Sequence, residues 1–260
     1  MKKASGKQTR YRLLVGMLIG IQAMGLAKQG YAEKNMQNEE ARRLESSHSA
    51  LAALSQPGPI VGSTPDSPVS IRLRVYNYAH LNAPLLNRAR EVTTAILRES
   101  EVETTWVDCP LTRGEFESYP ACQTLPGTTD FIIKILTAEA ANRFCTHREA
   151  LGQALECARG QAGCSAYVFY RDVVKLAREG DAAEDQLLGH VLAHEIGHLL
   201  LGPNSHTPDG IMRAHWTERD LQTIARTYLV FSEQQSRRIR EEVLERNSVH
   251  QEQWAKAKVP

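Results

Sequence analysis

Apolar and polar positions follow two different periods along the chain, and each period predicts a kind of element. Alternation and short apolar runs predict strands at four places: Val69 to His80, VETTWVDCP, FIIKILT, and Ala166 to Tyr170. Apolar spacing of three and four residues predicts helices over Ala83 to Ser100 and over about Thr217 to Arg246. This order predicts a mixed α/β (α+β) domain, in which a twisted sheet packs against helices and a long helix ends the chain.

The most apolar helical segment is LLGHVLAHEIGHLLLG, from Leu187 to Gly202. Its apolar residues leave little polar surface, which predicts a helix buried on most sides. Within it lie His194, Glu195 and His198. Buried imidazole and carboxylate groups are costly unless they are paired or coordinated. Two histidines four residues apart project from one helix face, as two ligands of a single tetrahedral zinc ion must.

A third histidine completes the predicted metal site. His206 follows a helix-stopping Gly-Pro pair, so the chain can turn there and swing back over the metal. The sequence therefore predicts one catalytic Zn²⁺ held by this residue and the two helix histidines. Glu195 would lie beside the metal and act as the general base toward a zinc-bound water. His190 lies one turn earlier, and a straight helix cannot direct three ligands at one ion, so we expect it in the core or behind the ligands.

The stretch HEIGHLLLGPNSH, followed by GIM, resembles the metzincins, a clan of zinc endopeptidases, and most closely their matrixin-like bacterial branch. Metzincins combine His-Glu-x-x-His-x-x-Gly-x-x-His with a turn that carries a methionine beneath the metal. The resemblance implies a zincin-type fold and these site residues: His194, Glu195, His198, His206 and Met212. The chain departs from the pattern at one place. Seven residues separate the second and third histidines, two more than in metzincins, and Gly202 stands one place later.

Glu218 is the rival of His206 for the third ligand position. It follows the second histidine at a spacing similar to that of the glutamate ligand in thermolysin-like enzymes. Thr217 and Asp220, however, predict a helix start at this place, where a glutamate in the first turn interacts favourably with the helix dipole. The sequence therefore favours His206 as the ligand.

Two residues after the methionine are candidates for a different role. Many metzincins carry a tyrosine shortly after it, whereas this chain has Arg213, Ala214 and His215. Both the arginine and the histidine can donate hydrogen bonds to a developing oxyanion. We therefore predict Arg213 and His215 as candidates for stabilising the tetrahedral intermediate.

Five cysteines lie between Cys109 and Cys164. Outside the cytosol they can form disulfides, and the odd count leaves at least one unpaired. We expect a bridge from Cys109 to Cys122 and a second among Cys145, Cys157 and Cys164, next to the last predicted strand. If that strand is the sheet edge, a peptide could lie along it by β-augmentation. No Cys-x-x-Cys pair occurs, which argues against a second, structural zinc site like that of archaeal metzincins.

The N-terminus has the layout of a secretory signal peptide. Residues 1–12 are basic, Leu13 to Ala27 is apolar, and small residues offer a cleavage site after Ala27 or Ala32. An apolar stretch of this length is short for a membrane span, although an uncleaved membrane anchor at residues 13–27 is the alternative. The predicted organisation is a signal peptide at 1–32, a linker or short pro-segment at 33–69, and a metzincin-like catalytic domain at 70–260.

Charge excludes one class of partner. The chain has 31 basic and 30 acidic residues, and the predicted signal peptide contains six of the basic residues and none of the acidic ones. Removing it leaves 25 basic against 30 acidic residues, a net charge of about −5. A mildly acidic protein without a basic motif lacks the field that attracts phosphates, so nucleic-acid binding is not expected.

These patterns predict a secreted or periplasmic zinc endopeptidase that acts on peptide or protein substrates. Two alternatives remain open: a non-catalytic exported or membrane-anchored binding protein on a zincin scaffold, and a zinc hydrolase of a non-peptide amide. The intact Glu195 favours the enzymes over the binding protein. A membrane would be a partner only if the N-terminal segment is uncleaved, and no pattern indicates an oligomeric state.

Overall fold

A computed structural model describes residues 69–144, 150–155 and 157–257. They belong to one compact unit, Asp66–Pro260. The predicted signal peptide, all but the last residue of the predicted linker, the alternative anchor and Cys145 lie outside the described residues. Among the helices that are described, none combines the length and the apolarity that a membrane crossing requires.

Five strands form one sheet: β1 (Val69–Asn77), β2 (Val102–Asp108), β3 (Asp130–Leu136), β4 (Gly152–Ala154) and β5 (Ser165–Phe169). Their order in the sheet is β2-β1-β3-β5-β4. β4 pairs antiparallel with β5, and the other four strands run parallel. The strands that the sequence predicts are all present, and the mixed α/β fold class is confirmed.

The strand at Ala166, considered from the sequence as a possible sheet edge, is not the edge strand. β4 lies outside it, pairing Gly152 with Val168 and Ala154 with Ala166. A strand of three residues, Gly-Gln-Ala, has too few positions to display alternation, which is why the sequence pattern predicts no strand there. β5 is instead an inner strand, and β4 is the edge strand.

The described α-helices are α1 (Ala83–Arg98), α2 (Pro120–Gln123), α3 (Ala138–Phe144), α4 (Tyr170–Glu179), α5 (Glu184–Leu201), α6 (Glu218–Ile224) and α7 (Glu233–Ala257). Asn82 caps α1, because its side chain accepts the N–H of Leu85. α1 and α5 pack against each other and against the sheet. α5 is the predicted ligand helix.

The core lies between the sheet and these two helices. Side chains on a strand alternate between its faces. The alternate residues of β1 and β3 that point to the helices are almost fully buried: Val69, Ile71, Leu73, Val75, Phe131, Ile133 and Ile135. Burying each such side chain stabilises the fold by about 1.5–3 kcal/mol relative to leaving it exposed. Since α5 is also buried over most of its length, its functional side chains start from a rigid element.

The prediction of one continuous helix from about Thr217 to Arg246 is wrong, although a long C-terminal helix is present. The helix is interrupted between α6 and α7. Leu229 and Phe231 are buried in the interruption. Ser232 and Gln235 then form a reciprocal cap at the start of α7, in which each side chain accepts the other residue's backbone N–H. This cap is the sequence signal for a second helix start.

Two disulfides lie within the described residues. Cys109 pairs with Cys122 as predicted. The second bridge joins Cys157 to Cys164, whose Cα atoms are 5.6 Å apart, in the connection between β4 and β5. Both bridges therefore hold connections of the sheet, one after β2 and one before β5.

A buried arginine anchors α7 beside the starts of β3 and β5. Arg246 is 1% exposed. Its Nη1 donates to the carbonyl oxygens of Thr128 and Gln161, at 3.0 and 2.9 Å. Its Nε donates to Glu242, one helical turn earlier, at 2.8 Å. Since its guanidinium also lies over the ring of Phe131, this side chain joins the last helix to the core.

Candidate metal centre

Helix α5 and the loop after it bring the three predicted ligands together. The Nε2 atoms of His194 and His198 lie 3.1 Å apart, and that of His206 lies 3.0 Å from that of His198. Nitrogen ligands about 2.0–2.1 Å from a tetrahedral zinc ion lie about 3.3 Å from one another. Ligand atoms of the three imidazoles all lie within 4.8 Å of one another. The three histidines therefore fit one zinc ion.

A hydrogen bond shows which ring nitrogen of His194 faces the other two histidines. Its Nδ1 lies 2.7 Å from the carbonyl oxygen of Ile211. A carbonyl can only accept, so Nδ1 carries the proton of the neutral ring and Nε2 does not. The Nε2 lone pair is thus directed at the other two imidazoles. Trp216 packs edge-on against this ring, and its indole N–H donates to the same carbonyl at 3.3 Å.

Burial lowers the pKa of all three imidazoles, which favours their neutral forms. It lowers the pKa of His194 to about 4, against the hydrogen bond to Ile211, which raises that pKa. Burial, together with the neighbouring imidazoles, lowers the pKa of His198 to about 3. The pKa of His206 is also lowered, first by burial and then by the charge of His215. Neutral imidazole is the form that coordinates zinc.

The turn after α5 accommodates the long spacing between the second and third histidines. The helix ends at Leu201, and the N–H of Gly202 donates to the carbonyl oxygen of His198 at 3.0 Å. Gly202 has a φ of 86° and Asn204 a φ of 58°. Both φ values are positive, and glycine and asparagine are the residues that adopt positive φ most readily. The chain reverses through these two residues and returns His206 to the helix.

Glu195 lies on α5 between the two helix ligands, and it is not a member of the metal-ligand cluster found among the described residues. It is 5% exposed, and its carboxylate accepts a backbone hydrogen bond from Ala154 of β4. A Cβ on Gly152 would lie 2.6 Å from Oε1 of Glu195, so a glycine there lets β4 pack this closely. Burial raises the pKa of Glu195 to about 8, against the effect of the Ala154 bond. The edge strand therefore holds the candidate base.

Met212 packs against α5 at Gly197. It is fully buried, and a Cβ placed on Gly197 would lie 2.6 Å from its sulfur. Phe231 approaches the same glycine, with Cε1 2.8 Å from that position. The turn is held by two backbone bonds, Thr207 N–H to Met212 and Ile211 N–H to the carbonyl of residue 230. The methionine predicted beneath the metal thus packs against the ligand helix, next to His198.

The remaining predicted residues lie in and around α6. Glu218 is its exposed first residue and is outside the histidine cluster of the described residues, in the helix-start position that the sequence predicts. Nη1 of Arg213 lies 3.0 Å from Oδ2 of Asp220, so this guanidinium is engaged in an ion pair. His215 is exposed and close enough to His206 for its charge, after burial, to lower the pKa of that imidazole. Of the two candidates for stabilising the tetrahedral intermediate, His215 is therefore the one whose charge acts on an imidazole of the cluster.

His190 is a core residue with both ring nitrogens occupied. It is 0% exposed, its Nδ1–H donates to the carbonyl of Gln186 at 2.7 Å, and its Nε2 accepts the N–H of Leu229 at 3.1 Å. Burial lowers its pKa to about 4, against the Gln186 bond, which raises it. A ring whose two nitrogens are so used has no lone pair for a metal, as the sequence predicts.

No model of a known protein family matches the chain, and no curated protein matches it. Among solved structures, the chain is similar to archaemetzincin from Methanopyrus kandleri, with 15% identity, a TM-score of 0.42, and coverage of 70% of this chain and 99% of that one. It is also similar to a zinc-dependent peptidase from Methanocorpusculum labreanum, with 16% identity, a TM-score of 0.39, and coverage of 64% and 99%. At these values the likeness decides neither family nor activity. The metal centre rests on its own geometry.

Proposed function

We propose that this chain is a secreted zinc endopeptidase of the metzincin type, in the matrixin-like branch that its sequence resembles. One observation carries the proposal. Three imidazole nitrogens converge on one point, and a buried carboxylate, Glu195, lies on the same helix without joining them. Three neutral nitrogen ligands plus one uncoordinated carboxylate are the groups that a zinc hydrolase uses to activate water.

Each residue then has a distinct role. The three histidines hold the metal, which when bound would polarise the substrate carbonyl and lower the pKa of a water molecule. Glu195, whose ionised form the positive charge of a bound metal would favour, would accept the proton of the attacking water and deliver it to the amine that leaves. Negative charge develops on the carbonyl oxygen during attack, and His215, an exposed residue whose charge acts on His206, is the donor that would stabilise it. Arg213 is less suited to this role because Asp220 holds it.

The sheet edge supports a peptide rather than a smaller amide as substrate. β4 is the last strand in the sheet order and bonds to β5 on one side. An extended peptide can add to the other side by β-augmentation. Such a peptide would lie close to the candidate base, since Ala154 of this strand is bonded to Glu195.

Two features support export. The N-terminal sequence has the basic and apolar segments of a signal peptide, and the domain contains two disulfides. Disulfides persist in extracellular and periplasmic compartments and are rare in the cytosol. Export followed by cleavage after Ala27 or Ala32 would release the catalytic domain. N-terminal sequencing of the exported protein tests this, and an intact residue 1 would instead indicate a membrane anchor at residues 13–27.

The function is tested with the purified chain and its Glu195→Gln variant, using metal analysis and digestion of casein. We expect one zinc per chain and hydrolysis that a chelator abolishes and added zinc restores. The variant should retain zinc and lose about two to four orders of magnitude in turnover, the range for a lost general base. Glu218→Gln is the matched control and should retain both zinc and activity. A parent protein that holds zinc but cleaves no peptide would contradict the endopeptidase and leave the two alternatives, the binding protein and the hydrolase of a non-peptide amide.

A further inference from the structure

His198 uses both of its ring nitrogens. Nε2 faces the other two imidazoles, and Nδ1 lies 2.9 Å from the hydroxyl oxygen of Ser205. For His194, the corresponding Nδ1 partner is the backbone carbonyl of Ile211, which no side-chain substitution removes. Besides a backbone hydrogen bond with Gly202, the Ser205 hydroxyl is thus the side-chain partner of His198 that a substitution can remove.

Ser205 belongs to the turn that returns the third ligand to the helix. It directly precedes His206 and is half-buried. The chain reaches it through the left-handed residues Gly202 and Asn204. The same turn thus supplies one ligand and a hydrogen bond to another, and the hydroxyl bond closes the turn back onto α5.

We propose that Ser205 is a positioning residue for the metal, acting through the tautomer and ring orientation of His198. Its hydroxyl oxygen accepts the Nδ1–H of that imidazole, which leaves the Nε2 lone pair free and directed at the metal position. Partners of this kind fix the tautomer of a metal-binding histidine and raise its basicity, and their loss weakens metal affinity by about 10- to 100-fold. The inference rests on the proposed zinc site but not on peptide hydrolysis.

Zinc affinity of the full chain tests the inference, measured by competition with a chromophoric chelator. Ser205→Ala removes the hydroxyl, whereas Ser205→Thr retains it. We expect the alanine variant to bind zinc about 10- to 100-fold more weakly than the parent and the threonine variant to recover most of that loss. Ser248→Ala, an exposed serine on α7, is the matched control and should bind as the parent does.

A second measurement separates positioning from a general weakening of the turn. In the zinc-loaded parent, the Nδ1–H of His198 should give a downfield proton resonance that is protected from water exchange by the hydroxyl. Ser205→Ala at saturating zinc should lose that protection, whereas the resonance of the His194 Nδ1–H, bonded to Ile211, should remain. A merely structural role would not select one imidazole in this way.

The outcomes are distinct. Equal zinc affinity in the parent and Ser205→Ala, within about threefold and well below the expected range, would overturn the role of Ser205 and leave the proposed function intact. Weaker binding in Ser205→Ala with both Nδ1–H resonances still protected would also overturn it. A parent that binds zinc and cleaves nothing would contradict the endopeptidase but not this inference. A parent that binds no zinc would contradict both.

Discussion

Replacing His190 by phenylalanine tests whether this ring anchors the segment between α6 and α7 to the ligand helix α5. The ring is 0% exposed, and its Nε2 is the acceptor for the buried N–H of Leu229. Phenylalanine keeps an aromatic ring of somewhat larger volume, and it removes that acceptor together with the Nδ1–H donor to the carbonyl of Gln186. An orphaned buried N–H costs about 1–3 kcal/mol, so His190→Phe should be less stable than the parent by about this amount at neutral pH.

The difference should depend on pH, with a definite sign. Burial lowers the pKa of His190 to about 4, below the ordinary value of 6.5. Between these two pH values the unfolded chain binds a proton at this histidine and the folded chain does not. The stability that the neutral ring contributes is therefore complete above pH 6.5 and is lost as the pH falls toward 4. The interval of about 2.5 pH units corresponds to about 3 kcal/mol, which the parent loses and His190→Phe does not.

Urea denaturation followed by far-UV circular dichroism, at several pH values between 4 and 7, measures this difference. The stability gap between parent and variant should shrink as the pH falls, and close or reverse near pH 4. The three cluster imidazoles are present in both proteins and cancel in the comparison. His80→Asn, at an exposed histidine with positive φ, is the control for losing one imidazole. A gap that stays constant over the whole range would refute the assignment of a neutral, buried His190.

Three further predictions concern the ligand set and the packing around it. His206→Ala should lose far more zinc affinity than Glu218→Ala in side-by-side chelator competition, because a two-histidine site leaves half of the tetrahedral shell to water; tight zinc in the first variant and lost zinc in the second would reverse the assignment. Gly197→Ala should lower the free energy of unfolding by about 1–3 kcal/mol, measured in urea, because its Cβ would lie 2.6 Å from the sulfur of Met212. Arg246→Met should lower it by about 1–3 kcal/mol, because the carbonyls of Thr128 and Gln161 lose their donor while Glu242 keeps Arg159 as a counter-charge, and an unchanged free energy of unfolding would contradict the anchoring role of Arg246.

The parts of the fold that the sequence predicts are those with long periodic patterns. The first strand, α1 and α5 each contain enough positions for a period of two or of 3.6 to be visible, and their bounds agree with the structure to within a few residues. Two members of the histidine cluster could be predicted for the same reason, since a spacing of four on a helix fixes the relative placement of His194 and His198.

The parts that the sequence does not predict depend on contacts between distant segments. β4 has only three residues, and its importance lies in the approach of Gly152 to Glu195, which no local pattern encodes. The break between α6 and α7 follows from the docking of Leu229 on His190. The Ser-Glu-Gln-Gln segment at its end is a helix-start signal that a continuous amphipathic pattern obscures.

The interruption before α7 also has a consequence for the biosynthesis of the metal site. Leu229 and Phe231 reach α5 from a segment that the ribosome makes after all three histidines. A nascent chain that has emerged only as far as the third histidine possesses every metal ligand, yet it lacks the residues that close the underside of the ligand helix. The centre is therefore completed late in synthesis, and a chain stalled before Leu229 would present an unfinished apolar helix to chaperones and proteases.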